Sequence, residues 1–142
     1  MNAYAVILAF LFATVIHGFR LSSNILRLNS LRSGTTLQQA KKYCVSVNLY
    51  VKPECREEFL RVIRINSAGT RTQEPLNHMY MWGESTTERN TFHFQEQFLG
   101  EEGFVAHTQA PHFQVWAKFA DVEGDGSPFW KPPEVKFFTE ME

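Results

Sequence analysis

The chain has 142 residues, is 44% hydrophobic and 14% aromatic, and carries a formal net charge of -1 at pH 7, which is enough apolar material for one compact domain of ordinary size. Charge is unevenly spread: residues 1–43 hold Arg20, Arg27, Arg32, Lys41 and Lys42 and no acid, so the rest has nine bases against 15 acids, or about -6. That balance argues against a nucleic-acid partner, whose phosphates need a basic face.

The first 43 residues read as addressing. Residues 3–16 form an apolar run of 14, short for a bilayer span but the length of a signal-peptide core, with Gly18 before a cleavage point and no basic residue ahead of the run. Residues 19–40 are rich in Ser, Leu, Asn and Arg and lack acids, which is transit-peptide composition. Residues 1–18 are therefore signal-peptide-like, 19–43 transit-peptide-like, and 44–142 the folded domain. This two-part leader resembles the presequence of proteins bound for the plastid of algae with secondary plastids. A plain secretory signal with a spacer, giving a secreted or endomembrane-lumen protein, is the alternative, and neither leaves a stable membrane anchor after processing. Cys44 and Cys55 stand at the start and beyond the end of the first strand and are expected to be free thiols.

Residues 43–51 alternate, with Val45, Val47, Leu49 and Val51 on one side and Cys44, Ser46, Asn48 and Tyr50 on the other, and predict a strand. Lys52 and Pro53 end it. Residues 54–68 carry acids in the first turn and Phe59, Val62, Ile63 and Asn66 at helical spacing, with Gly69 expected to stop the helix. Gln73, Glu74 and Pro75 lead into a second strand, 76–84, where His78, Tyr80 and Trp82 alternate with Asn77, Met79 and Met81. Residues 85–90 are polar and read as a hairpin loop. In the third strand Phe92, Phe94, Glu96 and Phe98 share one face and His93, Gln95 and Gln97 the other.

Residues 101–119 follow as two helical pieces, the second starting at Pro111, with His112 and Trp116, and Phe113 and Ala117, each four apart. A loop rich in Asp, Gly and Pro then reaches a last strand, 134–141. Within that loop Asp121, Glu123, Asp125 and Gly126 copy the opening of a calcium-binding EF-hand, but position twelve is Pro132 where a bidentate Glu is required. No metal or nucleotide motif stands out. The order βαββαβ predicts an α+β, ferredoxin-like fold: a four-stranded antiparallel sheet with helices on one face. The high aromatic content suggests a second subunit over the bare face, giving a homodimer.

Glu96 is the residue that asks for an explanation. A carboxylate on the greasy side of a strand must be paired, hydrogen-bonded or neutral, and each state shifts its pKa. One reading makes it a proton carrier beside His107 and His112; the other sets it at the sheet rim, bonded to a helix terminus or a tyrosine.

Taken in order, Val51-Lys52-Pro53, Glu58-Phe59, Asn66, Glu74-Pro75, Tyr80, Glu96 and the segment from His107 to Phe113 resemble the antibiotic biosynthesis monooxygenase domain, over roughly residues 44–119. Within that family, residues 66–80 look closest to bacterial enzymes described as quinol monooxygenases and to the isomerase of a phosphorylated autoinducer-2 signal. Two features depart from the pattern. Leu76 stands where members commonly have Gly, and Asn48, which would match a haem-degrading branch, is one residue out of strand phase.

The resemblance implies oxygenation of a small electron-rich molecule with molecular oxygen as co-substrate and no metal or other cofactor. It also implies site roles. Glu96 or His107 is the base, His112 and Asn66 are hydrogen-bond partners, and Tyr80, Phe94 and Trp116 are flat walls. An isomerase acting on a small hydroxyketone and a non-catalytic ligand-binding or stress-response dimer are the competing expectations.

Overall fold

The computed structural model describes residues 41–141; the leader readings lie outside them except for their last three positions. The first strand, β1 (Lys42–Tyr50), begins within that leader segment, two residues ahead of the predicted domain start. It is followed by a short 3-10 turn at Pro53–Cys55 and helix α1 (Arg56–Gln73), then β2 (Asn77–Glu84) and β3 (Thr91–Leu99). Helices α2 (Glu101–Gln109) and α3 (Pro111–Ala120), a 3-10 turn at Gly124–Gly126 and β4 (Glu134–Thr139) complete the chain. The strands lie in the order β2-β3-β1-β4, every pair antiparallel. This is the ferredoxin-like α+β arrangement, in which each helical crossover joins two parallel strands that have a third inserted between them.

Helix α1 differs from its sequence reading in one instructive way. It does not stop at Gly69 but runs to Gln73, and Glu74, extended before Pro75, ends it. Gly69 is there for a close approach. A Cβ at that position would fall on the imidazole of His112, so only a residue without a side chain lets α3 pack down on α1 here. Phe59, Val62, Ile63, Asn66, Ser67 and Thr70 form the buried stripe of α1 at helical spacing.

All the helices lie on the face that carries Val45, Leu49, Phe92, Phe94 and Phe98. Phe59 is fully buried, its ring centroid 4.4 Å from Phe92 and 6.0 Å from Trp116. Phe104 of α2 packs edge-on against Phe98, at 5.8 Å. Aromatic mass is thus concentrated on the covered side. The open face is largely polar and cross-linked, with Gln95 bonding Ser46, Asn48 meeting His93, and Asn48 and Tyr50 both donating to Glu134. Most of the aromatic content is spent in the core, and the large apolar side chains exposed on the open face are Met81, Phe138 and, beside Tyr50, Trp130. Asn48 belongs to this outer face.

Two further details were not legible beforehand. A bulge between Asn77 and Met79 gives β2 one extra residue, so His78 drops out of the predicted alternation and is exposed, while Tyr80 stays inward. The loop after α3 returns to the body: Phe129 is buried in the core and bridges Val51, and Lys131 lies 3.5 Å above the Tyr50 ring. No helix among the described residues is long and apolar enough to cross a membrane.

Candidate active site

Between sheet and helices lies a cavity of about 80 Å3, several times what one water occupies. Its walls are mainly apolar, from Val45 and Val47 on β1, Phe94 on β3, Ile63 on α1, and Phe113 and Trp116 on α3. Asn66, Tyr80 and Glu96 bring polar atoms to the same space. A mostly apolar pocket with a few convergent polar groups is the usual form of a small-molecule site.

Glu96 sits in mid-sheet, not at the rim: β3 is an inner strand, and Glu96 pairs in register with Val45 of β1 and Tyr80 of β2. Burial withholds water from its carboxyl and, with the nearby Glu74 charge, outweighs the attraction of His107, so its pKa rises to about 7. Beside it the Tyr80 hydroxyl is pushed well above its ordinary range, first by burial and then by Glu96, and remains a donor. The Asn66 side-chain nitrogen donates to the Tyr80 oxygen at 3.0 Å, while Asn66 Oδ1 is buried with no partner. Whichever way that amide is turned, one of its polar atoms is left for a ligand.

His107 does not line the cavity; it stands behind Glu96, 1% exposed. Its Nε2 is 4.0 Å from Glu96 Oε2, and its Nδ1 is 2.8 Å from Glu74 Oε1, with Thr70 Oγ1 at 3.4 Å. Burial alone would raise the Glu74 pKa, but the hydrogen bonds and charge of the two imidazoles outweigh it and hold that carboxyl below its usual value. Glu74 therefore stays ionised at neutral pH and holds a proton on His107 Nδ1, so that whenever the ring is neutral its Nε2 lone pair faces Glu96. Tautomer control by a buried carboxylate is the logic of catalytic triads.

His112 is placed differently from its predicted role. Its Nε2 bonds the same Glu74 oxygen, at 2.5 Å, and its ring faces Gly69, outside the apolar cavity. Asn66, Tyr80, Phe94, Trp116 and Glu96 line one cavity together. The residue missing from the predicted site is Glu74. The signal was present: an acid at a helix C-terminus faces the negative end of the dipole and needs a special partner. Thr70 was missed as well.

Glu74, His107 and His112 hold their donor atoms within 4.8 Å of one another. Both imidazoles converge on one carboxylate oxygen, at 2.8 and 2.5 Å. The first is an ordinary N–H···O distance and the second is shorter still, and both fall below the roughly 3.3 Å between ligands arranged tetrahedrally around a zinc-sized ion. We therefore read the group as a doubly hydrogen-bonded carboxylate.

Comparison with known proteins supports the same frame. The family model for antibiotic biosynthesis monooxygenase matches residues 42–118. Among solved structures, a protein of Nitrosomonas europaea named as a candidate antibiotic biosynthesis monooxygenase superposes with a TM-score of 0.62 at 20% identity, covering 75% of this chain and 96% of its own. A similarly named protein of Caulobacter crescentus gives 0.61 at 20%, covering 73% and 93%. A conserved protein of Methanosarcina mazei gives 0.60 at 18%, covering 71% and 94%. At such identities the likeness is one of fold. No curated protein matches the chain. With more than half of its length matched by the family model, the chain belongs to the antibiotic biosynthesis monooxygenase family.

Proposed function

We propose that this protein is a monooxygenase that oxidises a small electron-rich phenol or quinol in the apolar cavity, with molecular oxygen as co-substrate and no metal or flavin. The observation that carries the reading is Glu96: a carboxyl with a pKa of about 7, inside an apolar cavity, backed by an imidazole whose tautomer is held by Glu74. A base of that pKa accepts a phenolic proton at neutral pH once a hydrogen bond from the Tyr80 hydroxyl stabilises the phenolate. The phenolate then passes one electron to oxygen, and the phenoxyl and superoxide combine to form a ring carbon–oxygen bond. The ring C–H proton leaves as the O–O bond breaks, and the departing oxygen is protonated to water. In net terms, one phenol and one oxygen molecule give one quinone and one water. The unpaired amide atom of Asn66 and the Tyr80 hydroxyl supply hydrogen bonds to the substrate oxygens. Phe94 and Trp116 flank the ring.

Oxygen uptake by the purified protein, measured with a panel of hydroquinones and naphthols, tests this. We expect uptake matched by quinone formation and lost in Glu96→Gln; no uptake across the panel removes the reading. Turnover of a small hydroxyketone under strict anaerobiosis would favour the isomerase alternative, which uses the same Glu96–His107 pair without oxygen. A biological effect that survives Glu96→Gln would favour ligand sequestration. We further propose a homodimer through the open sheet face around Met81 and Phe138, which sedimentation equilibrium tests directly.

A further inference from the structure

A second cavity, of about 250 Å3, is lined by Glu74 and His112 together with Leu76, Gly103, Ala106 and Ala110, and shares no lining residue with the apolar one. His107 lines neither and spans the gap between them, Nδ1 on Glu74 and Nε2 toward Glu96. Four titratable side chains therefore connect two separate cavities.

We propose that the second cavity is a proton port: His107, Glu74 and His112 exchange protons between Glu96 and water in that cavity while the apolar cavity is occupied. This rests on the reading of Glu96 as the acid–base group of the apolar site. A bound aromatic ring would cover Glu96, itself only 8% exposed, so a proton it accepts has to leave through the protein. The Glu96 O–H passes its proton to His107 Nε2, Nδ1 gives its own to Glu74 Oε1, and His112, bonded to Glu74 through its Nε2–H, releases a proton from Nδ1 to water. The reverse sequence returns a proton for the water-forming step and restores the first tautomer.

Closing the 4.0 Å gap from Glu96 to His107 takes a shift of about 1 Å, and the terminal carboxyl torsion of a glutamate is soft. The short Glu74–His112 bond completes the path to the cavity. Asp121 also lines the apolar cavity, which a bound ring would fill, and the groups nearest Glu96 are otherwise engaged or apolar. Asn66 on α1 and Tyr80 on β2 are hydrogen-bonded to each other, Val45 on β1 is apolar, and Arg71 is engaged with the Tyr80 carbonyl.

A photoacid pH jump with infrared detection, following the carboxylic C=O band that disappears in Glu96→Gln, tests the port with toluene, an inert aromatic ring, filling the apolar cavity. We expect the band to respond at least about tenfold more slowly in His112→Ala and Glu74→Gln than in the parent protein. Ala106→Leu, which narrows the cavity without altering a relay group, should also slow it, and keeps the test open should either relay variant fold poorly. Added imidazole should restore the rate in His112→Ala alone. Equal rates in the parent and all folded variants, or no imidazole rescue, would overturn the proposal. Because oxygen uptake and the infrared response are independent readouts, the port and the oxygenase reading fail separately.

Discussion

Replacing Glu96 with Gln keeps shape and hydrogen-bonding capacity but removes the titration, so its effect on stability should depend strongly on pH. The folded carboxyl has a pKa of about 7 against an ordinary value of 4.5. Between those two values the folded chain holds a proton that the unfolded chain has released, so stability falls as pH rises through this window. A tenfold change in a proton-binding constant corresponds to about 1.4 kcal/mol, so the full loss is about 3 kcal/mol, complete above pH 7 and absent below pH 4.5. Gln is neutral at every pH and escapes that loss. Glu96→Gln should therefore lie within about 1 kcal/mol of the parent protein near pH 5 and exceed it by up to about 3 kcal/mol at pH 8.

The assay is urea denaturation at equal protein concentration from pH 5 to 8. With a slope of about 1–3 kcal/mol per molar urea, the difference appears as a midpoint shift of about 1–3 M at the alkaline end. Parallel profiles, with a difference that does not change with pH, would refute the claim that Glu96 is a buried acid titrating near neutrality.

Glu74 carries the opposite sign. Its folded pKa lies below its ordinary value, so its contribution is present above pH 4.5 and lost as pH falls through the folded pKa; Glu74→Gln should flatten the acid limb of the denaturation profile while lowering stability at pH 7. Gly69→Ala drives a methyl group into the His112 ring and should cost about 1–3 kcal/mol by overpacking, seen as a lower urea midpoint with an unchanged slope. A fusion of residues 1–43 to a fluorescent protein should enter the plastid in an algal host with a secondary plastid. Accumulation in the medium would favour the secretory reading instead.

The βαββαβ order and the inner and outer sides of β1 and β3 could be read directly, because strand and helix periods are set by local backbone geometry. Glu96 could be recognised on the core side for that reason alone. His78 could not be placed, because the bulge at Asn77–Met79 arises from pairing with β3 and breaks the local alternation. A stop signal at Gly69 ends α1 too early, because the glycine's use here is to admit the His112 ring.

By itself the sequence determined the element order, one acid facing the core, and an aromatic supply large enough for a pocket wall. Tertiary structure decided which charges meet. Glu74 reaches His107 and His112 across 33 and 38 positions, separations that no local period encodes and that depend on how α2 and α3 dock beside the end of α1. That docking moved His112 out of the apolar cavity, put His107 behind Glu96, and made a helix-end acid the centre of the site. The physical reason is that periodicity determines the direction of a side chain relative to its own backbone, whereas the partner it finds is settled by sheet register and helix packing.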